Sequence, residues 1–549
     1  MEILLTILIL TLVVSLTSVL TRLSPVQIPL PLIQIAAGAV LAQPIFGLHV
    51  EFNPELFLLL FIPPLLFAES SKIQPKELIK HSREIISLAL VLVLITIFGV
   101  GYVIHLLLPN VPLIAAFALA AVLSPTDAVA LLGIVGKGRI SKNIQEVLEG
   151  EALMNDASGL VALKFAVAVT MGTMEFSVHG ATIAFFVVAL GGIAVGIAVT
   201  WLYGKGLLLI SRYAHDEPSI QIVLMLLLPF IVYLVAEHFG LSGILAAVAA
   251  GLTTSRIGVV HHAPIRLRIK AKSSWSMLEY VFNGMVFLIL GLQLPGIISE
   301  SLIRAENDPL VDTGSLLLDV IWIYLALMVV RLGWLWLMRL YSRKRPGNPM
   351  LFAGYKTRHM LLATFAGVRG AITLAGVLSI PLLLPDGTPF PGRYLLVFLA
   401  TGVILFSLVC GIIILPLLLG KNVGIFSDNR QKEEEAADLF MAKMAILSVQ
   451  KTEQRLLRAR TENLDNELIM ETGARVIGYM RHSEEDMSPN DNSLHMQRAK
   501  LERTFNLAAL NAKRAAIYQM RARQEVSDET LAKIVSELDV LETLIMDSR

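Results

Sequence analysis

Residues 113–135 read LIAAFALAAVL, then SPTD, then AVALLGIV, so that Ser124-Pro125-Thr126-Asp127 interrupts one continuous apolar run. Proline removes a backbone donor and clashes with the preceding turn, and a helix long enough to cross a bilayer must break at such a point. Irregular backbone at membrane depth survives only where it lines a cavity or is buried in protein. The carbonyls freed by the break, together with the Thr126 hydroxyl, are hard oxygen ligands of the kind that suits a small hard cation. A merely structural kink would explain Pro125 alone. It does not explain Asp127 two residues on, since a charge at the centre of a spanning helix costs about 2.5–3.5 kcal/mol on insertion scales.

The rest of the chain is read outward from that break. It has 549 residues, 55% hydrophobic and 16% charged, with a mean hydropathy of +0.70. Soluble domains carry about 25% charged residues, which excludes an ordinary soluble enzyme. The charge is concentrated, with 41 of the 89 charged side chains in the last 130 residues. A membrane domain over 1–420 followed by a cytoplasmic helical tail over 421–549 is the organisation this implies. The net charge of +1 is evenly balanced and offers no basic patch for nucleic acid. One cysteine, Cys410, excludes an intramolecular disulfide and a thiolate metal cage, and no cofactor is expected. The first apolar run begins Met1-Glu2 and lacks both the basic leader and the small-residue end of a cleavable signal, so it reads as a retained spanning helix.

A bilayer core about 30 Å thick needs roughly 20 apolar residues per helix. Windows of that size pick out thirteen candidates, centred near 11, 36, 62, 97, 123, 159, 193, 229, 249, 285, 328, 370 and 407. Basic residues test the count, because cytoplasmic loops carry the excess of Lys and Arg. After odd-numbered segments there are 21, among them Lys76, Lys137, Lys344, Arg345 and Lys356; after even-numbered ones there are two, Arg304 and Arg393. That alternation predicts an outside N-terminus and a cytoplasmic C-terminus. The tail shows helical spacing at Phe440, Met444 and Leu447, a polar break around Pro489, and a last helix beginning at Ser527-Asp528-Glu529. It reads as a solvated helical appendage, with regulation as its alternative role.

Ionisable residues inside the apolar windows are Asp127, Glu149, Glu151, Asp156, Lys164, Arg331 and Arg369, with Glu69 and Glu279 near helix ends. The sixth window carries Glu149-Gly150-Glu151-Ala152-Leu153-Met154-Asn155-Asp156. At about 100° per residue, Glu151 and Asp156 point in different directions; one faces a cavity while the other meets a protein partner. The twelfth window, Gly367-Val368-Arg369-Gly370-Ala371-Ile372-Thr373, suggests that partner. Glycines beside Arg369 permit backbone opening or close helix approach, and arginine forks onto a carboxylate, so a Glu151–Arg369 ion pair is expected. Asp156 is then the acid left to trade a proton for a cation. Lys164, Glu279 and Arg331 read as snorkelling or structurally paired, and Asn283 as structural. The two Gly/Pro-interrupted segments are the fifth and the twelfth. An offset of seven relates segments 1–6 to 8–13 as two inverted six-helix repeats, and interrupted helices at matching positions of inverted halves point to a transporter site.

At these motifs the sequence resembles the monovalent cation–proton antiporter family of bacterial sodium/proton exchangers, across roughly 1–420. The resemblance rests on Ser124-Pro125-Thr126-Asp127, on Glu149-Gly150-Glu151 leading to Asn155-Asp156, and on Gly367-Val368-Arg369-Gly370-Ala371. It implies an all-α polytopic membrane protein with two inverted repeats and broken crossing helices at Pro125, Gly367 and Gly370. By the same resemblance Asp156 binds cation and proton in turn, Asn155 before it matches the Asn-Asp pattern of the electroneutral branch, and Thr126 and Asp127 lie at the ion site, Asp127 as a second cation contact. Glu69 resembles an acidic site neighbour, one residue further from the preceding phenylalanine than in many members. Ala152 lacks the hydroxyl that many relatives carry there. The resemblance also implies a homodimer in the plasma (inner) membrane of a bacterium, in contact with lipid, exchanging sodium or another monovalent cation, potassium being the alternative, for protons. Two other classes fit less well. A channel would need a symmetric filter and no filter-like glycine repeat occurs; an intramembrane enzyme would need a nucleophile–base set or metal cluster, and the His261-His262 pair lies in a basic loop.

Overall fold

The computed structural model describes residues 2–23, 28–43, 53–73, 79–136, 139–172, 178–213, 218–257, 265–306, 313–343 and 357–419, with helical stretches between 444 and 542. Lys76, Lys137, Lys344, Arg345, Lys356, His261, His262, Phe440, Pro489 and Ser527-Asp528-Glu529 lie outside the described residues. The chain divides into two compact units, Met1–Val423 and Gly424–Arg549.

The first unit is all-helical among the described residues, with one isolated bridge between Leu383 and Pro389. Its helices are α1 (Glu2–Leu23), α2 (Leu30–Leu41), α3 (Pro54–Lys72), α4 (Ser82–Leu107), α5 (Leu113–Leu123), α6 (Ala128–Val135), α7 (Lys142–Thr170), α8 (Val178–Tyr213), α9 (Pro218–His238), α10 (Gly243–Ile257), α11 (Ile265–Glu306), α12 (Thr313–Arg343), α13 (Thr357–Phe365), α14 (Ala371–Leu378) and α15 (Arg393–Leu419). Among the described residues, nine are long and apolar enough to cross a membrane; α5 and α6 form a further pair, bent by 47° at the proline break. The bends and caps follow from local sequence. Asn53 caps α3 by accepting from the Glu55 and Leu56 amides at 3.0 and 3.1 Å, Pro54 fills its first position, and a π turn over Ser87–Val91 interrupts α4. Leu8, Leu106, Leu202, Trp322 and Leu417 turn outward and are exposed, the arrangement of a protein whose solvent is lipid tails. The unit is a multi-pass membrane protein.

Packing sorts the helices into two bundles. One is built from α1–α3 and α8–α11, the other from α4–α7 and α12–α15. In the first, helices approach almost backbone to backbone. A β-carbon at Gly38 would run into the α11 backbone at Leu288–Leu292, one at Gly291 into Ile35, and ones at Gly192 and Gly196 into the α10 segment at Ser242 and Ala246. Small residues at helix contacts are the membrane substitute for a hydrophobic driving force. In the exposed loop before α15, Asp386 accepts from the Thr388 amide at 3.0 Å and hydroxyl at 2.6 Å, bonds that hold its carboxyl below the usual carboxylate range.

In the second unit the described residues are helical apart from a turn at Arg523, and include 446–451, 470–475 and 506–520. Ile446, Leu510, Ile517 and Leu538 are buried. Arg514 bridges Asp539 and Glu542 at 2.6 and 2.5 Å.

Candidate functional site

Two unwound stretches meet at the centre of the second bundle: Ser124–Asp127 between α5 and α6, and 366–370 between α13 and α14. The Asp127 amide donates to the Val368 carbonyl at 2.7 Å, so the breaks satisfy each other's orphaned backbone groups. Each break also creates a pair of helix ends with partial charges. Asp127 sits at two N-termini: its Oδ1 accepts from the Ala130 amide of α6 at 2.8 Å, and its carboxylate lies so close to Gly370, the cap of α14, that a β-carbon there would collide with it. Arg369 sits at two C-termini. Its Nε donates to Leu123 O, the last residue of α5, at 3.0 Å, and its other arm donates to Gly367 O just beyond α13. One anion and one cation thereby neutralise four half-helix dipoles.

Helix α7 crosses beside this junction and meets a different neighbour at each turn. Asn155 ties it to the break: its Nδ2 donates to Thr126 Oγ1 at 2.9 Å and its Oδ1 accepts from the Thr126 amide at 3.4 Å. Ser158 ties it to the π turn, donating to Ala89 O at 2.7 Å. Glu151, one turn before Asn155, points away from Asp156, as its spacing requires, and there the expected Glu151–Arg369 pair is corrected. Glu151 is forked by Arg331 of α12, with Nη2 donating to Oε2 at 2.8 Å and Nη1 to Oε1; Arg331 Nε closes on Ala363 O at 2.9 Å. Both side chains are almost fully buried. The physical reason is that Arg369 is consumed by helix-end carbonyls at the crossing, whereas Arg331 had no other acid to satisfy it. Lys164 bonds both oxygens of Glu237 at 3.1 and 3.0 Å, and Glu279 is bridged by Lys72 at 2.5 Å; both are paired.

Asp156, on the remaining face, is 7% exposed and makes no hydrogen bond among the described residues. It lines a cavity of about 50 Å³ shared with Thr126, Asp127 and Gly370 from the crossing, Glu69 from α3, Asn283, Val286 and Phe287 from α11, and Thr373 from α14. The cavity lies where the two bundles face each other. Ile62, Leu65, Leu66 and Glu69 line it from α3 at helical spacing, and Asn283, Val286 and Phe287 do so from α11. Thus Asp156, Asp127, Thr126, Glu69, Pro125 and Gly370 come together; Asn155 is one step behind, and Gly367 and Arg369 belong to the crossing. Glu151 does not reach the cavity. The sequence reading missed Asn283, taken as structural, and Thr373, read only as part of a motif. A helical wheel from Glu279 through Asn283 to Val286 and Phe287 carries the signal for the first. Such a chamber, walled largely by apolar side chains and holding an unpaired carboxylate among other oxygens, can hold a proton or a cation, but an ionised acid there without either is costly.

Comparison with known proteins gives a consistent picture. Residues 8–420 match the family model described as sodium/hydrogen exchanger, transmembrane. The chain is 58% identical over its whole length, and the whole of the relative's, to the "uncharacterized Na+/H+ exchanger YjcE" of Escherichia coli strain K12. It is 35% identical to a sodium, potassium, lithium and rubidium/proton antiporter of Bacillus pumilus, covering all of this chain and 79% of that one. In structure it resembles the sodium/proton antiporter MjNhaP1 of Methanocaldococcus jannaschii, with a TM-score of 0.56 at 19% identity, over 77% of this chain and all of that one.

Proposed function

This chain belongs to the sodium/hydrogen exchanger family, and from that premise we propose that it trades one monovalent cation for one proton at Asp156, by alternating access and without net charge movement. The observation that carries the reading is a buried carboxylate with no hydrogen-bond partner among the described residues, facing a cavity at the crossing of two broken helices. Proton and cation compete for the same two oxygens, and the empty ionised state is held back from crossing by the cost of an uncompensated charge. Exchange is then obligate. The bundle carrying α7 and the crossing moves against the bundle of α1–α3 and α8–α11, taking Asp156 from one side of the membrane to the other. Asp127, Thr126 and Glu69 stand at the ion site; Asn155 holds the break, and Glu151 with Arg331 holds α7 to α12 and α13.

Sodium is proposed as the principal cation. Potassium draws support from the name of the Bacillus pumilus relative, which spans sodium, potassium, lithium and rubidium. The proposal extends to thirteen crossings in two inverted repeats, to a homodimer in a bacterial inner membrane with the N-terminus outside, and to a solvated cytoplasmic helical tail, with regulation as its alternative role. The test is collapse of an imposed pH gradient in sealed vesicles on addition of each cation separately. Cation-dependent proton efflux that Asp156→Asn abolishes is the expected result; a flux needing no cation, or one that survives the substitution, would overturn the reading.

A further inference from the structure

The cavity holds two polar side chains that no part of the mechanism has used. Thr373 is 2% exposed, lies on α14 one turn past Gly370, and turns its side chain into the chamber. Three buried threonines in this chain return their hydroxyl to a carbonyl one turn back, Thr254 to Ala250 at 2.8 Å, Thr364 to Met360 at 2.8 Å and Thr401 to Val397 at 2.7 Å, whereas Thr200 leaves its hydroxyl without a partner among the described residues. Thr373 cannot do so in the same way, because the residue one turn back is Arg369, in the unwound stretch, and its hydroxyl makes no hydrogen bond among the described residues. Asn283 is the second. It stands on the face of α11 that also carries Val286 and Phe287 into the cavity, and its amide has no hydrogen-bond partner among the described residues. Burying a hydroxyl without a partner costs about 1–3 kcal/mol, and Thr373 and the half-buried Asn283 line the same small chamber.

The oxygens already accounted for do not complete a shell. Thr126 Oγ1 is engaged by Asn155, one oxygen of Asp127 caps α6, and Ala152, one turn before Asp156, contributes only a methyl group to the wall. A hard cation stripped of water needs several oxygen ligands. We propose that the Thr373 hydroxyl and the Asn283 amide oxygen are direct cation ligands, supplying the neutral part of the coordination shell around Asp156 and setting which alkali cation is preferred. Both are uncharged, so they change affinity and selectivity and leave the one-for-one charge balance untouched. The two ligands also arrive from different bodies: Thr373 belongs to the bundle of Asp156, and Asn283 to the bundle opposite.

The inference rests on the exchanger reading, and the experiment separates the two. Thr373→Val removes the hydroxyl at nearly constant shape, Asn283→Leu removes the amide, and Thr373→Ser keeps the oxygen. PH-gradient collapse is measured in sealed vesicles against lithium, sodium, potassium and rubidium over a concentration series. Thr373→Val and Asn283→Leu each raise the half-saturating sodium concentration by about tenfold, the loss of one polar contact to a charge, and alter the rank order of cations, while Thr373→Ser stays within about twofold of the parent. Unchanged half-saturation and rank order in both variants, beside an inactive Asp156→Asn, would overturn this assignment and leave the exchanger standing. Absence of cation-driven proton flux in the unsubstituted protein would overturn both. Should Thr373→Val fail to reach the membrane, Asn283→Leu and Thr373→Ala decide the question by the same readout.

Discussion

At the scale of single residues, two acids five positions apart on α7 do different jobs because each meets a different neighbour. Asp156 meets only the cavity. Its replacement by Asn keeps size and loses the exchangeable charge, so exchange vanishes while the purified protein elutes and melts like the parent; a variant with parental flux would remove Asp156 from the mechanism. Glu151 meets Arg331 in a fully buried fork. Truncating either partner strands the other, at a cost of about 3–5 kcal/mol, read as a lowered melting midpoint in detergent. The paired change Glu151→Leu with Arg331→Met recovers most of that loss. An Arg331→Ala protein that melts with the parent would contradict the pairing. The identity of the acids was legible from the sequence, since charges in apolar windows are few. The partner of Glu151 was not: two arginines were available, and the choice depends on which of them the backbone break consumes, a fact of three-dimensional crossing that linear spacing does not carry.

At the scale of elements, the decisive object is the pair of interrupted helices, and here the sequence said much. Pro125 and the glycines around Arg369 mark both breaks, and the structure unwinds at 124–127 and 366–370. What spacing could not reveal is that each break supplies the other's caps. Gly370 is the tightest point, with no room for a β-carbon against Asp127. Gly370→Ala is therefore expected to abolish exchange and to lower the melting midpoint, whereas Gly333→Ala on α12, where a β-carbon meets open space, leaves both within error of the parent. Equal behaviour of the two variants would remove the crossing from its central place. Away from the crossing, the Lys164–Glu237 bridge between α7 and α9 has a lysine 63% exposed, and exposed pairs contribute about 0.2–1 kcal/mol. Lys164→Gln should shift the melting midpoint only slightly, a shift smaller in 0.5 M salt than in 0.05 M.

At the scale of the whole molecule, the all-helical membrane class followed from composition and period, because a bilayer leaves a chain few options. The cavity wall was the part that escaped, since it is assembled from α3, α7, α11 and α14, which are far apart in sequence. One acid exchanging one charge for one charge makes a molecular prediction: a potassium–valinomycin potential imposed at equal pH and equal sodium drives no net sodium uptake into proteoliposomes. Uptake that follows the potential would require a second proton or cation per cycle. Competition at a single carboxyl further predicts that the rate's optimum pH moves downward as sodium is raised, measurable from the same vesicles.

The glycine seams of the α1–α3 and α8–α11 bundle have a consequence for how such a cycle is driven. Helices that touch through their main chains have no soft side-chain layer in which to slide, so in the proposed cycle this half is expected to act as a fixed frame. Movement in that cycle is then expected along the seam through the chamber, which Val286 and Phe287 line.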